Sequence, residues 1–443
     1  MGSALWAKMR RLFERTSRRE EPGILLTVTE DRPKLEYFLR GKPLRAEVGQ
    51  VQVAVRRSGY VPSLQGIRGF GFLLVFCGHY FLPQQLAHPG TLRFRILTSL
   101  DSFALCAVPT FFVLSGYLIG GILFHTRNRE GFFRVFYARR VLRVFPVYYL
   151  TLLAVVSFYL LRSLPINNYF WLHFFYIQNL FPSYTSQSFG QVSLVHLWSL
   201  AVEEQFYLLW PLVVWFFGEN RQQLIKVVLT LIACCCAFRL LAPLVASMPR
   251  EIVFLTPVRA DSILLGVLLA LIREDAVYAQ LERFAKWAVA AGACVMILLA
   301  NWKDRAWSTS FQGVEITTPL INVIAVAVLI AVMEQDSWLN RLCSQRWICW
   351  LGGLSYSAYV FHLTFAPYFF NYLTGHLCEY MRSSFAVLAS GGIAFCLTIV
   401  LSLLSFYFIE RPAMNSKEAL KYGPSPAKTA ERLRDEVLTT VGS

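Results

Sequence analysis

The chain has 443 residues, of which 56% are hydrophobic, 15% aromatic and only 16% charged, with a mean hydropathy of +0.48. Charged residues approach a quarter of a soluble domain, and disordered chains pair low hydrophobicity with high charge, so both classes are excluded and a polytopic membrane protein is indicated. The net charge of +15 would point to nucleic acid in a soluble protein, but the placement of the basic residues along this chain points to membrane sidedness, and no nucleic acid partner is expected.

The first 60 residues form a leader with thirteen basic residues and no continuous apolar stretch. It reads as a cytoplasmic segment, because a cleaved signal peptide needs an apolar region directly after its charges. Ten apolar runs follow, at about 63–82, 102–124, 144–162, 199–217, 226–246, 258–272, 285–300, 317–333, 350–370 and 384–409. At about 1.5 Å per residue each approaches the hydrocarbon thickness. A shorter aromatic run, 169–181, lies between Pro165 and Pro182 and reads as a re-entrant or interfacial piece.

The fold class expected is therefore an all-α polytopic membrane protein: about ten transmembrane helices, one short re-entrant or interfacial segment, and both termini cytoplasmic. Three domains follow: the leader 1–60, a membrane-embedded region 61–412 and a cytoplasmic tail 413–443. The leader, the stretch HTRNREGFFRVFYARRVLR after the second run and the tail are all basic and belong inside. The uncharged loop at 182–198 belongs outside; the loop at 301–316, with two residues of each sign, fits outside with less weight. Most of the ten cysteines sit in apolar runs as small apolar residues, and no CxxC or Cys/His spacing marks a metal site.

Ionisable residues inside spans are costly and mark function by default. Arg68 and His79 lie eleven steps apart, 20° past three full turns, so they share one helix face about 16 Å apart along the axis. Snorkelling and a backbone-satisfied histidine are the plain readings of either residue alone, and a substrate path is the reading of the pair. Arg139, Arg140 and Arg143 precede Phe145-Pro146. They read either as a positive-inside anchor or, for Arg140 and Arg143 on one helix face, as a clamp for a polyanion. Glu203 and Glu204 open the fourth run, either as dipole-matched carboxylates or as partners of an imidazole. Further candidates are Arg259 with Asp261, read as a local ion pair, His362 among aromatics, and His196 as another histidine able to serve as base.

Five segments, SLQGIRGFGFLLVFCGHY, VPTFFVLSGYLIG, ARRVLRVFPVYYL, HLWSLAVEEQFYLLWPL and LGGLSYSAYVFHL, with a terminal ERP, resemble in order those of the acyltransferase family 3 of integral membrane O-acyltransferases. The resemblance runs from about 61 to 412. It implies that Arg68 and His79 are the essential Arg-(ten residues)-His pair. It further implies that Arg140 and Arg143 are the inner-face Arg-x-x-Arg pattern, and that Glu203 and Glu204 are the acidic segment. Gln65 stands where the family usually has Asp, and Cys106-Ala107-Val108 departs from the usual Gly-Val-Asp. The implied activity is transfer of a short acyl group, commonly acetyl, from cytoplasmic acyl-CoA to a hydroxyl of a sugar-containing acceptor. Arg68, Arg140 and Arg143 would bind the donor, His79 would act as base, and Glu203 or Glu204 would support the imidazole. Acyl-CoA is then a co-substrate and no cofactor or metal is bound. The partners are the donor, a glycan or glycolipid acceptor and membrane lipids, in the plasma or inner membrane. A transporter of a polar or anionic lipid or glycan is the alternative, weakened by the lack of an internal repeat.

Overall fold

The structure, a computed structural model, describes residues 61–81, 86–88, 90–181, 192–241, 253–302, 311–364 and 366–424. The leader, residues 182–191 and 303–310 of the two loops assigned outside, and the tail beyond residue 424 lie outside the described residues. The described residues form helices and no strand. The α-helices are α1 (Pro62–Tyr80), α2 (Leu92–Ser102), α3 (Ala107–Thr126), α4 (Phe132–Leu161), α5 (Trp198–Phe217), α6 (Arg221–Leu241) and α7 (Thr256–Leu271). They continue as α8 (Ala276–Trp302), α9 (Phe311–Met333), α10 (Trp338–Cys343), α11 (Arg346–Thr364), α12 (Ala366–Leu377), α13 (Ser383–Ser405) and α14 (Arg411–Asn415).

Each expected apolar run is helical over most of its described residues. By length and apolarity alone, six helical stretches among the described residues suffice to cross a membrane: Leu92–Thr126, Phe132–Leu161, Val195–Phe217, Arg221–Leu241, Ala276–Asn301 and Ser383–Asn415. Apolar runs that fall short, such as α1, α7 and α11, have more than half of their residues buried inside the bundle. Their outer neighbours α6 and α8 are largely exposed, with 22% and 17% of their apolar windows buried. Inner helices are enclosed by protein, so they tolerate Ser, Gly, Tyr and His that a lipid-facing helix would not.

Three boundaries differ from those expected. The second run is preceded by α2, whose amphipathic sequence LRFRILTSLDS lacks a continuous apolar signal. The third helix starts at Phe132, twelve residues before its apolar run, because the basic residues are helical too; Arg139, Arg140 and Arg143 thus stand within α4 and not in a connector. The run 350–370 is split between α11 and α12. The aromatic run 169–181 forms two short 3₁₀ helices, Asn168–Phe175 and Gln178–Leu180, with Tyr176 between them in the left-handed region at φ 54°.

Glycine sets the closest helix contacts. A Cβ on Gly116 of α3 would lie 1.8 Å from the Ile263 carbonyl oxygen of α7, and one on Gly266 would lie 2.0 Å from that of Val113. Gly66 and Gly352 join α1 to Cys343 of α10 and α11 to Gln65 of α1 in the same way. Such small-residue seams let backbones approach where lipid provides no hydrophobic drive for association.

α1 and α11 run side by side in the same direction. Cys349 Sγ reaches the Pro62 carbonyl near both N-termini, and the Tyr80 hydroxyl donates to the His362 carbonyl near both C-termini. α5 runs the opposite way, starting beside α11 at His196 and ending at Glu219, which pairs with Arg127 after α3 at 3.0 Å. Next to it Arg221 pairs with Asp275 at 2.6 Å. One end of the bundle thus gathers charged connectors, and the other gathers histidines.

Candidate active site

The histidine end is built by three elements. His79 closes α1, with its Nδ1 bonded to the Val75 carbonyl oxygen at 2.8 Å and its ring exposed at the bundle surface. The His362 ring lies 5.2 Å from that of His79, and the His196 ring 4.9 Å from that of His362. His362 Nδ1 bonds the Tyr359 carbonyl at 2.6 Å and His196 Nε2 bonds the Val360 carbonyl at 3.0 Å. A carbonyl can only accept, so these bonds fix each tautomer and turn the other nitrogen into a lone-pair acceptor. Both of those acceptors, His362 Nε2 and His196 Nδ1, are buried and have no hydrogen-bond partner among the described residues.

From the histidines a polar line descends α5. Ser199 Oγ lies 2.6 Å from the Tyr359 hydroxyl, which donates to the His196 carbonyl at 2.9 Å. One turn on is Glu203, and its Oε1 accepts from the Tyr207 hydroxyl at 3.0 Å. Ser115 of α3 also bonds the Tyr207 hydroxyl. The Arg140 guanidinium stands over the Tyr207 ring, 4.6 Å from its centroid, with the Phe136 ring at 5.7 Å. Glu204, half-buried, lies within electrostatic reach of Arg140. From Ser199 to Tyr207 is eight residues, about 12 Å along the axis. The line therefore joins the histidine end to the middle of α4 through otherwise apolar layers.

Other expected residues fall around this line. Arg68 Nη1 donates to Gln65 Oε1 at 2.9 Å, so Gln65, standing where the resemblance expects an acid, is a neutral partner for the arginine. Arg143 is exposed and interacts electrostatically with the buried Glu410, which the π-helical turn Phe406–Glu410 holds near Ser405. The two carboxylates of α5 cluster with Arg140 and Tyr207, whereas the neighbours described for His79 are Val75 and His362.

Arg259 and Asp261 are not a local ion pair. Two residues apart on α7 they face different ways: Arg259 Nε donates to the Val253 carbonyl at 2.6 Å and its guanidinium lies over Trp198. Asp261 pairs with Arg239 of α6 at 2.5 Å, and its carboxylate also accepts from Asn322 Nδ2 at 2.8 Å and from the Ser262 amide at 2.9 Å. Arg239 and Asp261 are 3% and 2% exposed, a fully buried pair.

The sequence profile of the acyltransferase domain family matches residues 61–407, the region that holds both polar ends and the line between them. The chain belongs to the acyltransferase family 3. Over 377 residues it is 28% identical to a Bacillus subtilis protein provisionally named a peptidoglycan O-acetyltransferase, covering 80% of this chain and 55% of that one. Over 379 residues it is 27% identical to the peptidoglycan O-acetyltransferase of Listeria monocytogenes, covering 80% of this chain and 56% of the relative. A Staphylococcus aureus protein provisionally named an O-acetyltransferase is 25% identical over 396 residues, 84% of this chain and 60% of its own. The chain thus spans a little over half the length of these relatives. No solved structure gives a significant match.

Within the family domain the residues missed from sequence are Tyr207, Tyr359, Ser199 and Arg239. The three hydroxyls lie in runs such as EEQFYLLW, where Tyr reads as one more aromatic. Arg239 did carry a signal, a guanidinium inside an apolar run, which by itself calls for a partner. Among the described residues no group of three His, Cys, Asp or Glu side chains is disposed to hold a metal ion.

Proposed function

We propose that the protein is a multi-pass membrane O-acyltransferase of the plasma or inner membrane. It moves a short acyl group, acetyl on the pattern of its relatives' names, from cytoplasmic acyl-CoA to a hydroxyl of an extracytoplasmic sugar-containing acceptor of the peptidoglycan type. Ten crossings and cytoplasmic termini complete this reading. The observation that carries it is the polar line with arginine at one end and histidine at the other, because donor and acceptor lie on opposite sides of the membrane and differ in the chemistry they need.

Coenzyme A is a polyanion, and guanidinium groups meet phosphate with planar paired donors. About eight residues into α4, Arg140 stands over Tyr207, itself bonded to Glu203, and within electrostatic reach of Glu204, and Arg143 stands one turn further on. Arg68 lies in the same half of the bundle as the charged connectors, near the start of α1. The donor's thioester arm extends from these groups toward His79.

His79 takes the acceptor proton. Its Nδ1 is committed to Val75, so Nε2 carries the lone pair. As the hydroxyl proton passes to Nε2, the oxygen bonds the thioester carbonyl carbon, the carbon–sulfur bond breaks, and sulfur leaves with the electron pair and then takes up the proton. A buried imidazole without a counter-ion is neutral. His362 therefore presents a lone pair beside His79 and supports its protonated form, the role the sequence reading gave to a carboxylate. Direct transfer needs no acyl-enzyme.

The test is radiolabelled acetyl-CoA supplied outside sealed inside-out vesicles. Label should enter glycan only when acceptor is trapped in the lumen. Consumption that ignores luminal acceptor sinks the reading, and glycan or lipid flux without any donor would favour a transporter.

A further inference from the structure

The first part of the tail is strapped to the bundle. After α14 a 3₁₀ turn, Ser416–Ala419, leads residues 420–424 across the connector between α3 and α4. Arg139 Nε donates to the Leu420 carbonyl at 2.8 Å, and the Gly423 amide donates to the Glu130 carbonyl at 3.1 Å. Between these anchors the Tyr422 ring lies 5.6 Å from the Arg139 guanidinium carbon. Thr126 and Arg140 lie within electrostatic reach of its hydroxyl. The ring is half-buried, and a Cβ on Gly423 would lie 2.8 Å from Glu130, so the strap fits closely.

The acyl transfer derived above uses none of this. It engages the acyl group, the thioester arm and phosphates, but leaves the far end of the donor, an adenosine whose ribose carries phosphate, without a seat. An aromatic ring beside guanidinium groups is the chemistry that seats a base: the ring stacks on the base and the guanidinium groups meet the phosphates. Glu130 beside Gly423 disfavours phosphate on its side, which leaves the arginine side of the ring.

We propose that Tyr422, held beside Arg139 by the strap, forms the subsite for the nucleotide end of the acyl donor, an inference that rests on the acyl-CoA-dependent reading above. The tail is then part of the donor site. A donor lacking the nucleotide, such as acetyl-pantetheine, bypasses the subsite.

The experiment uses the purified full chain as wild type, Tyr422→Ala and Tyr422→Phe. For each, KM is measured with acetyl-CoA and with acetyl-pantetheine, and binding of adenosine 3′,5′-bisphosphate is followed by calorimetry. Tyr422→Ala should raise KM for acetyl-CoA about tenfold, weaken the bisphosphate to a similar degree and leave acetyl-pantetheine unchanged. Tyr422→Phe keeps the stacking face and should retain most of both. Equal increases for the two donors would make the strap a structural brace, and no change with acetyl-CoA would remove Tyr422 from the donor site; either overturns the proposal. A wild type that turns over neither donor yet binds the bisphosphate through Tyr422 would overturn the acyl-transfer reading and leave the subsite standing. A wild type that is active while its bisphosphate binding ignores Tyr422 would do the reverse.

Discussion

Two of the polar clusters that interrupt the apolar bundle differ in which groups are met. In the cluster of α6, α7 and α9, Asp261 meets Arg239, Asn322 and the Ser262 amide, and Ser262 Oγ closes the loop to Asn322 Oδ1 at 2.7 Å. Along α1, α5 and α11, two buried imidazole nitrogens have no described partner, and His79 is exposed beside them. A buried polar group costs free energy unless it is paired. A carboxylate met by Arg239, Asn322 and an amide joins helices, while buried imidazole lone pairs are left to meet an incoming donor. The ion pair is the more conspicuous in sequence terms, yet the histidines are the better candidate for chemistry.

Substituting each cluster sharpens the contrast, and the largest effect is expected at His79. His79→Ala should lower kcat by about 10²- to 10⁴-fold while the unfolding temperature in detergent stays near wild type. A variant keeping a tenth of wild-type activity would move the base to His196 or His362.

Asp261→Ala should do the opposite. It leaves the Arg239 charge buried, so stability should fall by about 3–5 kcal/mol, read as a lowered unfolding temperature and poor monodispersity. The double change Arg239→Met with Asp261→Leu should recover most of the loss and keep kcat. A folded double variant without activity would place the ion pair in the chemistry and erase the comparison.

Smaller effects belong to the arginine end. Arg140→Lys and Arg143→Lys keep the charge but lose the planar fork, and each should raise KM for acetyl-CoA severalfold more than KM for the acceptor. Equal shifts of both constants would support a purely topological anchor. The smallest effect is expected from Ser199→Ala, which removes one hydrogen bond to Tyr359, worth about 1 kcal/mol, and should reduce kcat about fivefold with both KM values unchanged.

The helices were legible because apolar runs in a membrane protein are nearly continuous, and Arg68 and His79 were legible because they share one helix and its period. α2 and the first three turns of α4 were not, since basic residues there dilute the apolar signal while favouring helix as well as most residues do. The meeting of His79, His196 and His362 was beyond reach of pattern reading, because it depends on how three separate helices pack. The same holds for the partner of Asp261: a contact over 22 residues between neighbouring antiparallel helices replaces the one over two residues suggested by adjacency.

The seam between α1 and α11 acts as a gauge at a distance. Gly69 and Gly352 bring the two backbones together toward their N-termini, while His79 and His362 face each other near the other ends. From Gly69 to His79 is ten residues, about 15 Å of rigid rod, so a methyl group that pries the rods apart at one end is magnified as misalignment at the other. Tolerance at the imidazole pair is thus set by residues that carry no functional group, and a search for inactivating changes confined to polar positions would overlook them.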